Sequence, residues 1–412
     1  MATLGNDAIE QAGSGRDVER RLRICVIYDC LFPYTVGGAE RWYRNLAERL
    51  AGAGHDVTYL TLRQWPRGER LDIDPRVRVV TAGPRLSLYT SGGRRRILPP
   101  LVFGAGVLLH LLRARRRYDV VHICSFPYFS LLAAAFARGL GRYDLTVDWF
   151  EVWSASYWRD YLGGLGGRVG ALVQHACALV PQRAYCFSEL HAQRLRAEGL
   201  RGPIRVLRGL YAEQPAPPST EPVPPLVLFA GRLIPEKQAP LGIAAIALAA
   251  KRIDGLRGEF MGEGPERETL LSAIAEHGLQ ETVRAEGFTD AATLDERMRR
   301  ATCMLLPSRR EGYGMVVVEA AARGTPSVVV AGEDNAAVEL IVEGVNGFVA
   351  SSPEPESIAA AIEQAHAGGV ALRRSTAAWF RENRDTLSLE SSLRTVLAGY
   401  AEGHRSGPST RA

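Results

Sequence analysis

Short apolar runs alternate with longer stretches of helical periodicity along most of the chain. The first run, 21–29, is followed by a Gly-Gly turn, by leucine and alanine residues at helical spacing, and by a second run at 55–61. Runs of the same character occur at 118–125, 145–153 and 183–188. Because helical stretches separate these predicted strands, the pattern favours a parallel sheet with helices on its faces.

A proline-rich segment then interrupts the alternation. Residues 213–226 contain six prolines, which exclude a helix and disfavour a strand, so we predict an interdomain linker over 213–225. The alternation resumes with a strand at 225–232. Further strands, each leading into a helix, are predicted near 256–262, 282–286, 302–307 and 326–330.

The two alternating regions predict two tandem doubly wound α/β domains that face each other across a cleft. The first domain covers 21–212 and the second covers 226–385. A last helix at 386–402 lies past the second domain and is expected to cross back onto the first. We predict a disordered tail at 1–20 and a short tail at 403–412. A length of 412 residues agrees with two domains better than with one core.

Composition favours a globular cytoplasmic protein. Apolar residues make up 46% of the chain, and its polar first residues do not resemble a signal peptide. The six cysteines are scattered without a C-x-x-C pair, which favours reduced, buried thiols over disulfides or a zinc site. The segment 97–112 is strongly apolar, but it contains two prolines and two glycines. It is also too short for a bilayer span, which needs roughly 20 apolar residues.

Charge is distributed unevenly between the two halves. Residues 1–212 contain 30 arginines and no lysine against 18 acidic residues, whereas the remainder contains 20 basic and 27 acidic residues. The first half is therefore expected to meet an anionic partner, such as a phosphorylated substrate or a membrane surface. Aromatic residues are not interleaved with the arginines and no nucleic-acid-binding motif is recognisable, so no nucleic-acid partner is predicted.

Two arginine runs, 94–96 and 113–117, flank the apolar segment 97–112. Together they predict that the first domain docks on anionic lipid, which would place the protein peripherally at the inner face of the cell membrane. A buried helix with solvated ends is the alternative explanation of the same pattern.

Ligands of parallel α/β sheets bind beyond the carboxyl ends of the strands, and four unusual loops of this chain lie there. The first, TVGGAER, contains Gly37 and Gly38, which allow backbone amides to approach a phosphate; a plain tight turn is the alternative. Another, GEGPER, contains Gly262 and Gly264, whose amides can reach a nucleotide. Initiation of a helix at Pro265 explains the GEGPER turn equally well.

The loop after the strand 225–232 carries two cations, Arg232 and Lys237, on either side of a proline turn. Lysine is rare in this chain, since Lys237 and Lys251 stand against 48 arginines, so Lys237 is expected to serve as a compact point charge. Both cations can converge on a diphosphate. Two solvated surface cations are the alternative.

The fourth loop belongs to the segment PSRREGYGMVVVEAAARG, which places two carboxylates eight residues apart. Glu311 lies in the predicted loop after a buried strand, and Glu319 lies in the helix that starts at Met315. One carboxylate is a natural partner for the two adjacent hydroxyls of a ribose. The alternatives are a solvated loop acid for Glu311 and simple pairing with the helix dipole for Glu319.

These motifs together resemble the retaining nucleotide-sugar glycosyltransferases of family 4. GGAER, GRLIPEK, GEGP and EGYGMVVVE occur in this order, and the most specific element is the Glu-x7-Glu pair formed by Glu311 and Glu319. The resemblance covers about residues 22–400 and implies the GT-B fold, with two Rossmann-like domains. It implies transfer of a hexose from a nucleoside-diphosphate sugar, GDP-mannose or a UDP-hexose, without a metal ion or cofactor.

The resemblance also implies roles for the matching positions. Arg232 and Lys237 would hold the donor diphosphate and neutralise the leaving group. Glu319 would bind the ribose, and Glu311 would face the donor sugar. The implied donor-binding residues are Gly37, Gly38, Gly231, Arg232, Lys237, Gly262, Gly264, Gly312, Tyr313, Gly314, Met315 and Glu319.

Two departures from the family concern the first domain. Many relatives have a histidine in the cleft loop where this chain reads VDWFEVWSASYW, with Phe150 near that position, and VLRGLYAE replaces a proline-asparagine-glycine turn. His122 is the other candidate catalytic histidine, and a structural histidine within a strand is its alternative. We predict an acceptor side formed by Glu40, Asp148, Phe150 and Glu151.

Three classes of function remain open from the sequence. The leading prediction is a glycosyltransferase whose acceptor is a lipid-linked saccharide, a polysaccharide or a secondary metabolite. A sugar-nucleotide epimerase on the same fold is the second. A non-catalytic protein that binds a nucleotide sugar is the third, and Phe150 motivates it. A nicotinamide dehydrogenase is disfavoured because no G-x-G-x-x-G follows the first strand.

Overall fold

The computed structural model describes residues 21–88, 90, 95–114, 116–212, 218 and 221–405. The predicted tail at 1–20, most of the predicted linker and the residues after 405 lie outside the described residues. Two α/β units account for the described chain, each built on its own parallel sheet.

The first domain is built on seven parallel strands. In chain order they are β1 (Arg23–Ile27), β2 (Asp56–Leu62), β3 (Arg78–Gly83), β4 (Val120–Cys124), β5 (Asp144–Trp149), β6 (Arg183–Cys186) and β7 (Ile204–Val206). Across the sheet the order is β3-β2-β1-β4-β5-β6-β7, so the direction of winding reverses between β1 and β4. Such a reversal opens a crevice at the carboxyl ends of the strands, where ligands of doubly wound sheets bind.

Five helices cover this sheet: α1 (Gly38–Gly52), α2 (Leu98–Arg113), α3 (Tyr128–Gly141), α4 (Ala155–Ala178) and α5 (Glu189–Ala197). Serine caps define where two of these helices begin. The side chains of Ser154 and Ser188 accept hydrogen bonds from first-turn amides of α4 and α5, respectively. Right-handed connections place α2, α3 and α4 on the same face of the sheet, where α3 packs against both of its neighbours.

The second domain repeats the design with six parallel strands. They are β8 (Leu226–Ala230), β9 (Arg257–Met261), β10 (Val283–Gly287), β11 (Cys303–Leu306), β13 (Ser327–Val330) and β15 (Gly347–Ala350). Their order across the sheet is β10-β9-β8-β11-β13-β15. A separate two-stranded pair joins β12 (Arg310–Glu311) to β14 (Asp334–Asn335). The helices are α6 (Ala239–Ala249), α7 (Arg267–Glu276), α8 (Ala291–Arg300), α9 (Met315–Ala322) and α10 (Pro355–Leu387).

The chain ends in α11 (Leu389–Arg405), which packs on the first domain. Glu402 pairs with Arg183 at 3.0 Å and with Arg205 at 2.7 Å, and the Tyr185 hydroxyl donates to the Thr395 carbonyl oxygen at 3.3 Å. The helix therefore covers the first sheet after the chain has completed the second one. It reaches Arg405, three residues beyond the predicted end at 402.

Two doubly wound parallel domains confirm the predicted fold class. The strand predictions agree with β1, β2, β4–β6, β8–β11 and β13, in which most residues are buried except in the edge strand β10. The strands absent from the prediction are β3, a half-exposed edge strand, and β7, β12, β14 and β15, which have two to four residues each. Short strands at sheet edges carry no long apolar run, so periodicity does not reveal them. All six cysteines are buried and free.

Candidate active site

Loops at the carboxyl ends of both sheets meet between the two domains. Gly38, after β1, lies opposite Met315, because a Cβ added to Gly38 would be 3.7 Å from the Met315 side chain. Gly312, after β11, lies against Phe150, because a Cβ there would be 2.6 Å from the Phe150 carbonyl oxygen. The predicted donor residues at 312–315 and the predicted acceptor residue Phe150 therefore line the same cleft.

Lys237 and Glu311 form a charged pair on the second domain's side of this cleft. Lys237 ends a single 3₁₀ turn at Pro235–Lys237, and Glu311 ends β12. The Lys237 ammonium donates to Glu311 Oε1, which also accepts a hydrogen bond from the Ser308 hydroxyl at 2.7 Å. The Glu311 side chain is only 10% exposed, so the carboxylate holds the ammonium in one position.

Arg232 approaches the first domain from the loop before Lys237. Its side chain is exposed, and it faces Glu40, whose pKa is raised by burial and lowered in part by this guanidinium. Glu40 also lies beside Gly37, since a Cβ added to Gly37 would be 2.3 Å from the Glu40 carboxylate. An exposed arginine opposite the Gly37–Gly38 turn has the charge and the location that a bound diphosphate requires.

Glu319 lies in α9 but directs its carboxylate away from the core face of that helix. The neighbouring Val317 and Val318 are buried, whereas Glu319 Oε1 lies 3.7 Å from Arg41 Nη1 of α1, in the first domain. Glu319 therefore faces the cleft from the side opposite the Gly37–Gly38 turn. The sequence pattern alone does not predict its contact with Arg41.

Arg310 is a cleft residue that the sequence analysis does not single out. Its guanidinium pairs with Glu151 of the first domain and lies 3.9 Å from Glu236. Its Cζ atom lies 4.8 Å from the ring centre of Trp153 and 4.5 Å from that of Tyr157. Burial opposes the charge most strongly, but Glu151, Glu236 and the other acidic groups around it together outweigh burial, and the pKa of Arg310 is raised. Arg310 thus joins the two domains beside Glu311.

Two further contacts hold the domains together near the cleft. Arg194 of α5 binds Asp334 of β14 at 2.5 Å. The carboxylate of Glu339, from the second domain, accepts hydrogen bonds from the Glu189 and Leu190 amides at 2.8 and 2.7 Å. A carboxylate at the N-terminus of α5 is favoured by the unpaired amides of the first turn. The structure is therefore a closed arrangement of the two domains.

The sequence analysis predicts cleft positions for His122 and Asp148, and the structure contradicts both. Each side chain is fully buried, with His122 Nε2 2.8 Å from Asp148 Oδ1. The other ring nitrogen, Nδ1, lies 2.5 Å from the Tyr400 hydroxyl of α11, and the Trp42 indole donates to Asp148 at 2.7 Å. This cluster binds the C-terminal helix to the first sheet. His122 therefore has a structural place, and Asp148 cannot orient an acceptor.

Gly262 and Gly264 serve the packing of their loop. A Cβ added to Gly262 would be 1.8 Å from the Gly231 carbonyl oxygen, and one on Gly264 would be 2.2 Å from that of Leu233. The Gly262 amide donates to the Gly287 carbonyl oxygen at 2.7 Å. The predicted nucleotide contact through this amide is therefore wrong, because the amide already has a partner. Close contact with the Gly231 loop explains both glycines.

Tyr313 and Gly314 position the start of α9. The Tyr313 side chain is buried, and its hydroxyl donates to the Arg208 carbonyl oxygen of the first domain. Gly314 has a φ of 99°, a left-handed conformation that disfavours any side chain, and it directly precedes the helix. The tyrosine side chain is therefore an interdomain contact. Any contact of this residue with a donor sugar must come from its backbone.

His191, a buried residue beneath the cleft, is the second residue near the site that sequence reasoning misses. It lies in the first turn of α5, and its Nδ1 accepts a hydrogen bond from the Val152 amide at 3.1 Å, so the neutral ring carries its proton on Nε2. Burial lowers the pKa of His191 to about 4, although the neighbouring Glu151 opposes that shift. The sequence shows the helix cap at Ser188 but gives no signal for a histidine beneath Glu151.

We expect His191 to make the protein less stable in mild acid. Its folded pKa of about 4 lies below the ordinary value of 6.5, so between these values the unfolded chain binds a proton that the folded chain does not. Stability is then lost as the pH falls from 6.5 towards 4. At pH 5 the loss relative to pH 7 is about 2 kcal/mol. Urea unfolding of the wild type and of His191→Gln at pH 5 and pH 7 measures this loss of stability. An equal pH dependence of stability in the two proteins would contradict the prediction.

The fold and this cleft define the class of the protein. Two doubly wound domains close over a lysine–carboxylate pair, an exposed arginine and a glycine turn, which is the architecture of a GT-B glycosyltransferase. Among residues 21–405 as far as they are described, no group of three His, Cys, Asp or Glu side chains is arranged to hold a metal ion.

Comparison with known families supports the same class from each domain separately. Residues 212–378 match the family described as glycosyl transferases group 1, and residues 37–209 match the glycosyl transferase 4-like domain. Together the two matches span both domains, so the chain belongs to the GT-B glycosyltransferases.

Similar proteins agree with this assignment. Glycogen synthase of Mycobacterium tuberculosis is 27% identical over 396 residues, which cover 90% of this chain and 91% of that protein. A second similar protein is the GDP-mannose-dependent alpha-(1-6)-phosphatidylinositol monomannoside mannosyltransferase of Mycolicibacterium smegmatis. It is 28% identical over 195 residues, which cover 44% of this chain and 50% of that protein. The structure of sucrose-phosphate synthase from Thermosynechococcus elongatus covers 94% of this chain and is itself covered completely, with a TM-score of 0.77 at 19% identity.

Proposed function

We propose that this protein is a retaining glycosyltransferase of family 4 that transfers a hexose from a nucleoside-diphosphate sugar. The donor is GDP-mannose or a UDP-hexose, and the acceptor is a hydroxyl of a lipid-linked saccharide, a polysaccharide or a secondary metabolite. The similar proteins support this range, since one is a glycogen synthase and another a GDP-mannose-dependent enzyme acting on a phosphatidylinositol mannoside.

One observation carries the proposal: the cleft presents two cations and a carboxylate where the sheet ends. Lys237 is held by Glu311, and Arg232 faces the Gly37–Gly38 turn across the cleft. A nucleoside diphosphate gains negative charge when it leaves the sugar. Cations that are fixed before the reaction stabilise that charge without reorganisation of the site.

The reaction follows from this placement. The bond between the anomeric carbon and the β-phosphate oxygen breaks, and Arg232 and Lys237 stabilise the departing diphosphate. The acceptor oxygen then bonds to the anomeric carbon on the same face, within the ion pair, and its proton passes to the departing phosphate oxygen. Two cations and the amides at the start of α9 supply the positive charge, so we propose that the reaction needs no metal ion.

The opposite wall of the cleft suits a carbohydrate acceptor. The rings of Trp153 and Tyr157 lie 4.8 Å apart at an interplanar angle of 76°, and Phe150 stacks on Phe187 at 4.1 Å. Burial is the strongest influence on Glu151 and raises its pKa, but Arg310 together with the other favourable partners, among them a hydrogen bond from the Trp153 indole, outweighs burial. The pKa of Glu151 is therefore lowered, and the carboxylate is ionised. An ionised carboxylate between aromatic rings accepts a hydrogen bond from a sugar hydroxyl.

A panel of nucleotide sugars tests the proposal. We expect release of nucleoside diphosphate from one member of the panel, which includes GDP-mannose and several UDP-hexoses, with turnover that Lys237→Ala lowers at least about 100-fold. The variant is the control for contaminating hydrolases. An epimerised nucleotide sugar without release of diphosphate would establish the epimerase function. Binding of a nucleotide sugar without turnover would establish the non-catalytic one.

A further inference from the structure

Exposed apolar side chains are concentrated on one face of the first domain. Sixteen large apolar side chains are exposed among the described residues, and twelve of them lie between Ile97 and Leu179. This part of the chain contains α2, α3 and α4, which pack side by side on one face of the first sheet. We call the outer side of these three helices the α2–α4 surface.

Each helix contributes to the α2–α4 surface at helical spacing. On α4, Leu165, Val169 and Leu172 recur at intervals of four and three residues and are 78%, 55% and 67% exposed. Phe136 of α3 is 69% exposed, and Leu101 of α2 is 44% exposed. Exposed apolar side chains scattered singly are normal on a soluble protein, whereas a concentration of them marks contact with a partner or a membrane.

Positive charge accompanies these apolar side chains. In the described part of 95–180, seven arginines are exposed: Arg96, Arg113, Arg116, Arg117, Arg142, Arg159 and Arg168. The one exposed carboxylate of the same described residues, Asp160, lies 3.4 Å from Arg309. Exposed apolar side chains and exposed arginines therefore occur together in this part of the first domain.

A shallow cavity lies at one end of the α2–α4 surface. It has a volume of about 700 Å³, and Arg113, Arg116, Arg117, His110 and Leu109 are among the residues that line it. Leu109, which is 49% exposed, belongs both to this cavity and to the apolar surface. Three arginine side chains around one opening have the charge to bind a phosphate group.

We propose that the α2–α4 surface docks the protein on a membrane containing anionic lipid, with the cavity at Arg113, Arg116 and Arg117 receiving a lipid headgroup. A bilayer surface offers apolar depth and negative charge at the same place, as this face requires. Self-association through matching copies of this face would set its arginines against one another. No described helix is long and apolar enough to cross the bilayer, so the contact is a peripheral one.

Docking through this face also orients the cleft. Helix α4 begins two residues after Trp153 and carries Tyr157 in its first turn. Helix α2 begins shortly after Arg95, which pairs with the buried Asp29 just beyond β1. The N-terminal ends of the docking helices therefore adjoin the proposed acceptor wall. This consequence rests on the proposed function, and it would present the cleft to an acceptor that is anchored in lipid.

Vesicle flotation of the full chain tests the docking independently of any activity. We expect binding to vesicles of phosphatidylcholine mixed with phosphatidylglycerol, weaker binding to phosphatidylcholine alone, and loss of binding in high salt. Phe136→Ser and Leu165→Ser should each weaken binding about tenfold. Arg116→Gln and Arg117→Gln should each weaken it about fivefold, and only on anionic vesicles.

Matched controls come from exposed residues of the second domain. Phe288 is 75% exposed, and Arg284 is exposed, so Phe288→Ser and Arg284→Gln should bind vesicles as the wild type does. A thermal midpoint equal to that of the wild type shows that a variant is folded. If a serine variant unfolds, Arg116→Gln and Arg117→Gln still test the proposal. Absence of binding to anionic vesicles, or equal loss in the Phe288 and Phe136 variants, overturns the proposal. A dimer in solution that Phe136→Ser dissociates would also overturn it and assign the face to self-association.

Discussion

Replacing Lys237 with alanine should lower kcat by about 100- to 1,000-fold while changing the donor KM much less. The reason is that its ammonium, fixed by Glu311, stabilises charge that develops only when the nucleoside diphosphate leaves. An interaction that strengthens in the transition state contributes to kcat and little to ground-state binding. Steady-state rates of diphosphate release from the preferred donor measure the effect.

The chain offers a matched control for this variant. Lys251, the only other lysine in the sequence, is exposed just beyond the end of α6, and Lys251→Ala should leave kcat unchanged. Because Lys237→Ala leaves the Glu311 carboxylate without its cation, a second variant, Lys237→Ala with Glu311→Gln, removes the unpaired charge. Its stability should recover while its kcat stays low. A Lys237→Ala protein with wild-type kcat would contradict the assignment of Lys237 to the stabilisation of the departing diphosphate.

Glu319→Ala should weaken the binding of the nucleoside diphosphate about 10- to 100-fold. On the proposed function, the Glu319 carboxylate accepts hydrogen bonds from both ribose hydroxyls, and hydrogen bonds to a charged group contribute about 1.5–3 kcal/mol. Every 1.4 kcal/mol corresponds to tenfold in Kd. Isothermal calorimetry with the preferred nucleotide measures the change.

A deoxynucleotide separates the ribose contact from a general electrostatic effect. The wild type should bind the 2′-deoxy nucleotide more weakly than the ribonucleotide, whereas Glu319→Ala should bind the two alike. Glu296→Ala is the control variant, because Glu296 also pairs with an arginine, Arg300, at 3.5 Å, but on α8 and away from the cleft. It should bind both nucleotides as the wild type does. If Glu319→Ala still discriminates between the two sugars as the wild type does, the ribose is bound elsewhere.

The fold class was predictable because the long buried strands are continuous apolar runs. Apart from Arg23 at the start of β1, the residues of β1, β4, β8 and β11 are almost all buried, and each strand leads into a loop at the cleft. The loops that carry Arg232, Lys237 and Glu311 were found for the same reason, since the end of an apolar run marks the edge of the sheet. Local pattern therefore places residues at the cleft edge but does not determine where their side chains point.

Contacts between distant parts of the chain were beyond local pattern. The pairing of Arg310 with Glu151 joins residues 159 positions apart in different domains. His122 is the middle residue of β4, close to a cleft loop in sequence, but Tyr400 of α11, 278 positions later, packs against it and buries it. The contribution of α4 to the α2–α4 surface was also hidden, because an apolar helical face is normally a core face.

On the proposed function, a hexose leaves its nucleotide and is transferred with its anomeric configuration kept. Proton NMR of the first turnovers with the preferred α-configured donor tests this most directly. We expect the transferred or released sugar to appear first as the α anomer, at a rate that Lys237→Ala lowers at least about 100-fold. A first product in the β configuration, formed by the wild type and equally by the variant, would contradict both the retaining mechanism and the site.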